Sequence, residues 1–158
     1  MKKYLLLFCL ATLVLSSCRK RIDDTTFDAA AQALIDDKAI QDYFLQKGTP
    51  PPTKDPSGLY YTIVNPGTGA HPTIASNITV GYTASTLDDV VVDNKPSYYF
   101  APLDGLIEAW RIGIPKIGTG GTIILYAPSG LGYGNVANGA TPASTVLIFK
   151  ITLQGFNN

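Results

Sequence analysis

The spacing of apolar positions changes once along the chain, near residue 58. Before that point, Ile40, Tyr43 and Phe44 lie three and four residues apart, with Ala33 one step further back. This spacing is typical of an amphipathic helix and predicts one over residues 27–47. It is the only long helix that the pattern predicts.

The ends of this helix are marked by polar and turn-forming residues. Thr25 or Thr26 is the expected N-cap, with Asp28 in the first turn. Gly48 and the prolines that begin at Pro50 end the helix. Because its apolar stripe covers barely two turns, we expect a spacer helix that packs lightly on the main domain, with a dimerisation helix as the alternative.

After residue 58 the apolar positions alternate with a period of two, which is typical of strands. Leu106, Ile107 and Trp110 interrupt this alternation with the spacing of a short helix that ends at Gly113, and residues 128–144 form a long loop. Several antiparallel strands around one short helix indicate an α+β fold. The predicted strands are 59–64, 78–83, 90–93, 98–103, 123–126 and 147–154.

The N-terminus resembles an export signal. Two lysines precede an apolar run over residues 4–15, which is too short to span a bilayer. The sequence Leu15-Ser16-Ser17-Cys18 follows and is similar to a lipobox. We therefore expect residues 1–17 to be a signal peptide, Cys18 to be lipidated, and residues 18–26 to be a tether. The predicted location is the cell envelope, at the outer membrane or the periplasmic face; the alternative is an ordinary secretory signal followed by a chance cysteine.

Composition excludes several kinds of chemistry. The chain has 12 basic and 12 acidic residues and no basic patch, which argues against nucleic acid as a partner. Cys9 lies in the predicted signal, so the mature chain would keep only Cys18 and could form no internal disulfide. His71 is the only histidine and is expected to be a solvated loop residue. No metal site and no cofactor are predicted.

The remaining candidates are aromatic and aliphatic residues around a single acid at a strand end, Asp93. This set favours a hydrophobic pocket with one or two polar groups over hydrolytic or redox chemistry. Gly132-Tyr133-Gly134 resembles part of a dinucleotide-binding fingerprint, but no helix opens after it. Loop geometry is the better interpretation of these glycines.

From about Gly58 to the end, the sequence resembles the FKBP-type peptidyl-prolyl cis–trans isomerases, and residues 58–158 are assigned to that domain. The helix and the proline-rich segment, residues 27–57, precede it. The matching stretches hold their order and spacing over roughly 100 residues. They are Val80-Gly81-Tyr82-Thr83, Val92-Asp93, Leu106-Ile107-Glu108-Ala109-Trp110, Ala127-Pro128-Ser129-Gly130-Leu131-Gly132-Tyr133-Gly134 and residues 141–149.

The resemblance implies an antiparallel half-barrel wrapped around one short helix, with a substrate pocket whose floor is Trp110. It also implies that the Ile107 backbone N–H holds a substrate carbonyl and that Tyr133 offers its hydroxyl. The residues given catalytic roles are Tyr82, Asp93, Ile107, Trp110 and Tyr133. The residues expected to bind substrate are Val92, Tyr98, Phe100, Leu106 and Phe149.

The sequence departs from the family pattern in and beside the pocket. Val92 replaces the usual phenylalanine, Ala109 replaces a glycine, residues 135–140 lack the family's histidine, and the link from Leu103 to Leu106 is short. The leading hypothesis is an isomerase that acts on proline-containing polypeptides and assists the folding of exported proteins. The alternative is a non-catalytic peptide-binding or chaperone module of the same fold. The oligomeric state stays open.

Overall fold

A computed structural model describes residues 27–100 and 102–157. The predicted signal peptide, the tether, Cys18 and the two threonines expected to cap the helix lie outside the described residues. Within the described part, no helix is both long enough and apolar enough to cross a membrane.

Helix α1 spans Ala29–Gln46 and starts slightly later than the sequence predicted. Asp28 is its N-cap, because this residue has an extended backbone and its carboxylate accepts hydrogen bonds from the N–H groups two and three residues ahead. The interpretation of Asp28 as a first-turn residue was therefore wrong. After the helix, Gly48 adopts a φ of 67°, in the left-handed region that glycine tolerates best.

In the described part of the chain, six antiparallel strands form one open sheet, which confirms the predicted α+β class. Their order across the sheet is β1-β2-β5-β6-β3-β4. Short 3-10 turns occur at Leu103–Gly105, Ile114–Lys116 and Ser129–Leu131. The strands are β1 Thr53–Lys54, β2 Tyr60–Asn65, β3 Asn77–Thr86, β4 Val91–Phe100, β5 Thr122–Ala127 and β6 Leu147–Asn157.

Strand β4 corrects the sequence-based prediction of two short strands at 90–93 and 98–103. It is one continuous strand that pairs with β3 along most of its length. Lys95 and Pro96 lie between the two predicted segments. Because β4 is an edge strand, a proline and a charged residue are tolerated in its middle.

Helix α2, Glu108–Gly113, packs on one face of this sheet. Its last residue lets the two elements approach closely, since a Cβ on Gly113 would lie 2.5 Å from Cδ2 of Leu125. Trp110 and Ala109 of the helix are buried in the same cluster as the inward-facing strand residues. The short helix therefore holds Trp110 against the sheet.

Helix α1 covers the opposite face of the sheet, because successive strand residues point to opposite sides. Leu125 belongs to the α2 side, whereas Tyr126 packs with Ile40 and Phe44 of α1. Ile40 is fully buried, and the rings of Phe44 and Tyr126 lie 4.8 Å apart, edge to face. The helix covers this face because both faces of β5 are apolar, and its role as a spacer stays a prediction.

Candidate functional site

An open pocket lies between α2, the strands β3, β4 and β6, and the loop after β5. Its cavity volume is about 100 Å³, below the roughly 300–1,000 Å³ of sites for drug-sized ligands, so it suits one small ring or side chain. Its walls are largely aromatic and aliphatic. The lining residues are Tyr82, Ala84, Val92, Asp93, Phe100, Leu106, Ile107, Trp110, Tyr133, Thr141, Leu147 and Phe149.

Trp110 forms the floor of this pocket and is 4% exposed. Three aromatic rings stand nearly perpendicular to its indole, with centroids at 4.9 Å for Tyr82, 5.3 Å for Phe100 and 5.7 Å for Phe149. Edge-to-face contacts of this kind are favourable and hold each ring in place. The result is an apolar box with a flat base that fits a small saturated ring.

The strand register explains how residues distant in sequence share one wall. Tyr82 and Ala84 are two residues apart on β3, so their side chains face the same side of the sheet. Ala84 pairs with Asp93 on β4 and with Phe149 on β6. Leu147 lies two residues before Phe149 and therefore faces the pocket as well.

Tyr82 and Asp93 form the main polar contact of the pocket. The Tyr82 hydroxyl donates a hydrogen bond of 2.5 Å to Asp93 Oδ2. Burial raises the pKa of Tyr82 far above its ordinary value, and the hydrogen bond to Asp93 adds to this effect. Burial also raises the pKa of Tyr133, and the negative charge of Asp93 contributes. Both phenols therefore stay protonated at neutral pH and act as hydrogen-bond donors.

Ile107 brings a backbone donor to the rim of the pocket. It is the N-cap of α2 and has an extended backbone, with φ −59° and ψ 148°. Its carbonyl accepts from the N–H groups of Trp110 and Arg111, while its own N–H has no partner among the described residues. Because Ile107 lines the pocket, this donor is available to a carbonyl placed over the indole.

The structure brings together every pocket residue that the sequence analysis named except Tyr98. Tyr98 is 49% exposed, and its ring contacts that of Phe100 at a centroid distance of 4.7 Å with a tilt of 45°. Phe100 instead reaches Trp110. Phe100 is therefore an aromatic wall of the pocket from β4, and the role of Tyr98 in binding substrate stays a prediction.

Three lining residues were missed: Ala84, Leu147 and Thr141. Ala84 and Leu147 each lie two positions from a predicted pocket residue, so strand alternation could have found them. Thr141 is buried in the loop between β5 and β6, and no periodic pattern marks it. His71 is exposed, with Nδ1 at 2.9 Å from the carbonyl oxygen of Pro115, and lies outside the lining.

The described residues contain no cluster of three or more histidine, cysteine, aspartate or glutamate side chains that could hold a metal ion. Within the pocket lining, Asp93 is the one carboxylate. It also lies 3.9 Å from the Lys95 ammonium, at Oδ1. The arrangement can bind and orient an apolar group and a carbonyl, and it offers no nucleophile with an adjacent base.

Comparison with known proteins agrees with this geometry. Residues 69–154 match the family described as FKBP-type peptidyl-prolyl cis-trans isomerase. The chain is 32% identical over 102 residues to the FKBP-type peptidyl-prolyl cis-trans isomerase FkpA of Aeromonas hydrophila, covering 61% of this chain and 37% of the relative. It is 33% identical over 126 residues to the outer membrane protein MIP of Legionella longbeachae, covering 75% of this chain and 53% of that protein. The chain thus spans about half or less of the length of these relatives.

Solved structures support the fold. The crystal structure of FkpA from Escherichia coli aligns with a TM-score of 0.69 and 28% identity, over 82% of this chain and 61% of the other. A peptidyl-prolyl cis-trans isomerase from Pseudomonas syringae pv. tomato aligns with the same TM-score of 0.69 at 24% identity, over 85% of this chain and 99% of the other. At that identity, the second likeness concerns the fold alone.

Proposed function

Because this chain belongs to the FKBP-type peptidyl-prolyl cis–trans isomerase family, we propose that it catalyses rotation about Xaa–Pro peptide bonds. The observation that carries the proposal is the box formed by Trp110 and the rings of Tyr82, Phe100 and Phe149. Its flat apolar base and perpendicular walls suit the pyrrolidine ring of proline. The family match over residues 69–154 adds independent support.

The reaction requires no acid, base or nucleophile. Rotation about the peptide bond has a barrier of about 18–20 kcal/mol, because amide resonance is lost in the twisted state. Resonance places negative charge on the carbonyl oxygen, so the planar ground state is more polar than the twisted one. An apolar pocket that excludes water disfavours the polar ground state, and burial of the proline ring supplies binding energy.

Hydrogen-bond donors then select the twisted geometry. The free N–H of Ile107 lies at the rim, where it would hold a substrate carbonyl beside the proline. Tyr133 lies on the loop after β5 and lines the same pocket, and its phenol is protonated and able to donate. Asp93 is engaged by Tyr82 and would orient that ring. Donors fixed in advance stabilise a transition state more than a flexible ground state.

A second candidate function is peptide binding without catalysis. Val92 stands where the family has a phenylalanine, which removes one aromatic wall, and the loop at residues 135–140 has no histidine. Both changes would widen the pocket without altering its floor. A chaperone that holds proline-containing segments remains the rival for that reason.

A protease-coupled assay on Xaa–Pro peptides separates the two functions. The full-length protein should complete the cis-to-trans phase faster than the spontaneous reaction, which takes roughly 10–100 s. Val92→Phe restores the wall that the sequence lacks and should raise the rate or leave it unchanged. A rate equal to buffer for both proteins refutes the enzyme. If suppression of client aggregation then persists and is lost in Trp110→Leu, the binding module is the better description.

We further propose that the protein is anchored in the bacterial envelope through Cys18 and assists the folding of exported polypeptides. The support is the signal-like segment before Leu15-Ser16-Ser17-Cys18 and the match to an outer membrane protein. Stable anchoring requires more than one acyl chain, which a lipidated N-terminal cysteine provides. Cys18→Ser should move the protein from the membrane to the soluble fraction and keep isomerase activity. If the Cys18→Ser protein stays in the membrane fraction, the proposed lipid anchor is contradicted.

A further inference from the structure

A buried carboxylate joins α1 to the loop that carries Tyr133. Asp36 lies in the middle of the helix and is only 2% exposed. Its Oδ2 accepts two hydrogen bonds from one residue, Ser129, at 2.7 Å from the backbone N and 2.6 Å from Oγ. Its Oδ1 accepts from Gln32 Nε2 at 2.7 Å. Asp36 and Ser129 are 93 positions apart in sequence.

Attaching the helix by apolar packing alone would not require a buried carboxylate. Burial of a carboxylate is unfavourable unless hydrogen bonds compensate for the lost water. The described residues place no cation in a salt bridge with Asp36, so neutral donors alone compensate it. Ile40 and Phe44 already attach the helix through apolar contacts. The hydrogen bonds between Asp36 and Ser129 also fix the position of the helix relative to the loop, which apolar packing alone would not do.

Ser129 begins the turn of the pocket loop that contains Tyr133. Its carbonyl accepts hydrogen bonds from Gly132 N at 2.9 Å and from Gly134 N at 2.8 Å. Tyr133 lies between these two amides, so its backbone position follows that of Ser129. The carbonyl of Gly134 in turn accepts from Ser144 N at 2.8 Å, which closes the far end of the loop.

The loop has little conformational preference of its own. Gly130, Gly132 and Gly134 occur at alternate positions, and Gly134 has a φ of 63°. Glycine restricts the backbone less than any other residue. The place of Tyr133 in the pocket therefore depends on the hydrogen bonds that end at Ser129, and those in turn rest on Asp36.

We propose that Asp36 is a positioning residue for the pocket: through Ser129 it holds the turn that presents the Tyr133 hydroxyl to substrate. The inference rests on the proposed isomerase function. It assigns α1 a part in the pocket on the other face of the sheet. Asp36 itself does not line the pocket and takes no part in the chemistry.

The test compares Asp36→Ala with Asp37→Ala in the full-length protein. Asp37 is the adjacent carboxylate of the same helix and also contacts the domain, at 2.9 Å from the Tyr60 hydroxyl, but it does not reach the loop. Amide hydrogen exchange at Gly132 and Gly134 is measured without substrate, and kcat/KM is measured with an Xaa–Pro peptide. Asp36→Ala should speed exchange at both glycines and lower kcat/KM on the order of tenfold, as expected for a displaced donor. Asp37→Ala should change neither quantity.

Two further variants guard against a general loss of folding. Asp36→Asn should keep slow exchange and most activity. The Oδ1 atom of the new asparagine can accept from Ser129, and the Gln32 side chain can flip so that its Oε1 accepts from the asparagine Nδ2–H. Ser129→Ala removes one of the two bonds and should give a smaller effect of the same kind. In a Tyr133→Ala background, Asp36→Ala should cause no further loss of kcat/KM, since the two residues act through one group.

Unchanged exchange in Asp36→Ala, or an equal effect of Asp37→Ala, overturns the inference. So does a full additional loss of kcat/KM in the Tyr133→Ala background. If the unsubstituted protein does not accelerate isomerisation, the proposed function fails instead. The exchange rates at Gly132 and Gly134 then decide by themselves whether Asp36 holds the turn.

Discussion

Ile40→Ala tests whether α1 is an integral part of the domain. Ile40 is fully buried against Phe44, Tyr60 and Tyr126. The substitution removes three methyl or methylene groups, which at about 0.8 kcal/mol each weakens burial by about 2.4 kcal/mol. The unfilled space adds to this, so we expect the free energy of unfolding to fall by about 3 kcal/mol.

Urea unfolding followed by fluorescence measures this loss, since Trp110 is the only tryptophan and lies in the core. With an m-value of about 2 kcal/mol/M, a loss of about 3 kcal/mol lowers the midpoint by about 1.5 M. Leu34→Ala is the matched control, because Leu34 is an aliphatic residue of the same helix that is 75% exposed. It should change stability by less than about 0.5 kcal/mol. Equal effects of the two substitutions would refute the integral helix and restore the loosely attached spacer.

Two other substitutions test the packing and electrostatics of the site. Gly113→Ala should destabilise the fold by about 1–3 kcal/mol in the same urea assay, because its Cβ would lie 2.5 Å from Leu125 Cδ2; an unchanged midpoint would show that α2 does not rest closely on the sheet. Tyr82→Phe should flatten the alkaline loss of stability. The pKa of Tyr82 is raised on folding, so its contribution is complete below the ordinary phenol value of 10.0 and disappears as pH rises through the higher value. The urea midpoint is measured against pH for both proteins. If it falls equally steeply at alkaline pH in each, the raised pKa of Tyr82 does not contribute to stability.

The fold class and most of the pocket could be predicted from the sequence, because alternation on the strands and the family-like stretches both mark residues that face one side. Tyr82 and Phe149 occupy such positions, and the structure places them on either side of Trp110. Tyr98 shows the limit of this reasoning. Alternation gives it the same face as Phe100, but only contacts in three dimensions reveal that Phe100, and not Tyr98, packs against Trp110.

The burial of Asp36 and the continuity of β4 depend on context that is not local. Asp36 is an acidic residue in a helix, a place typical of a surface charge, yet it is buried and bonded to a partner 93 positions away. Pro96 lies between the two predicted strand segments, and it is tolerated inside β4 because β4 lies at the edge of the sheet. Neither the partner nor the edge position can be derived from the spacing of apolar residues.

The central claim is that the Trp110 pocket accelerates rotation about Xaa–Pro bonds. Exchange between the cis and trans signals of a proline-containing peptide, measured by NMR at equilibrium with catalytic amounts of the full-length protein, tests it without a coupling protease. Spontaneous exchange takes roughly 10–100 s. The account predicts exchange well above that rate, reduced by Trp110→Leu in a protein that still unfolds cooperatively. Exchange at the spontaneous rate with the unsubstituted protein would contradict it.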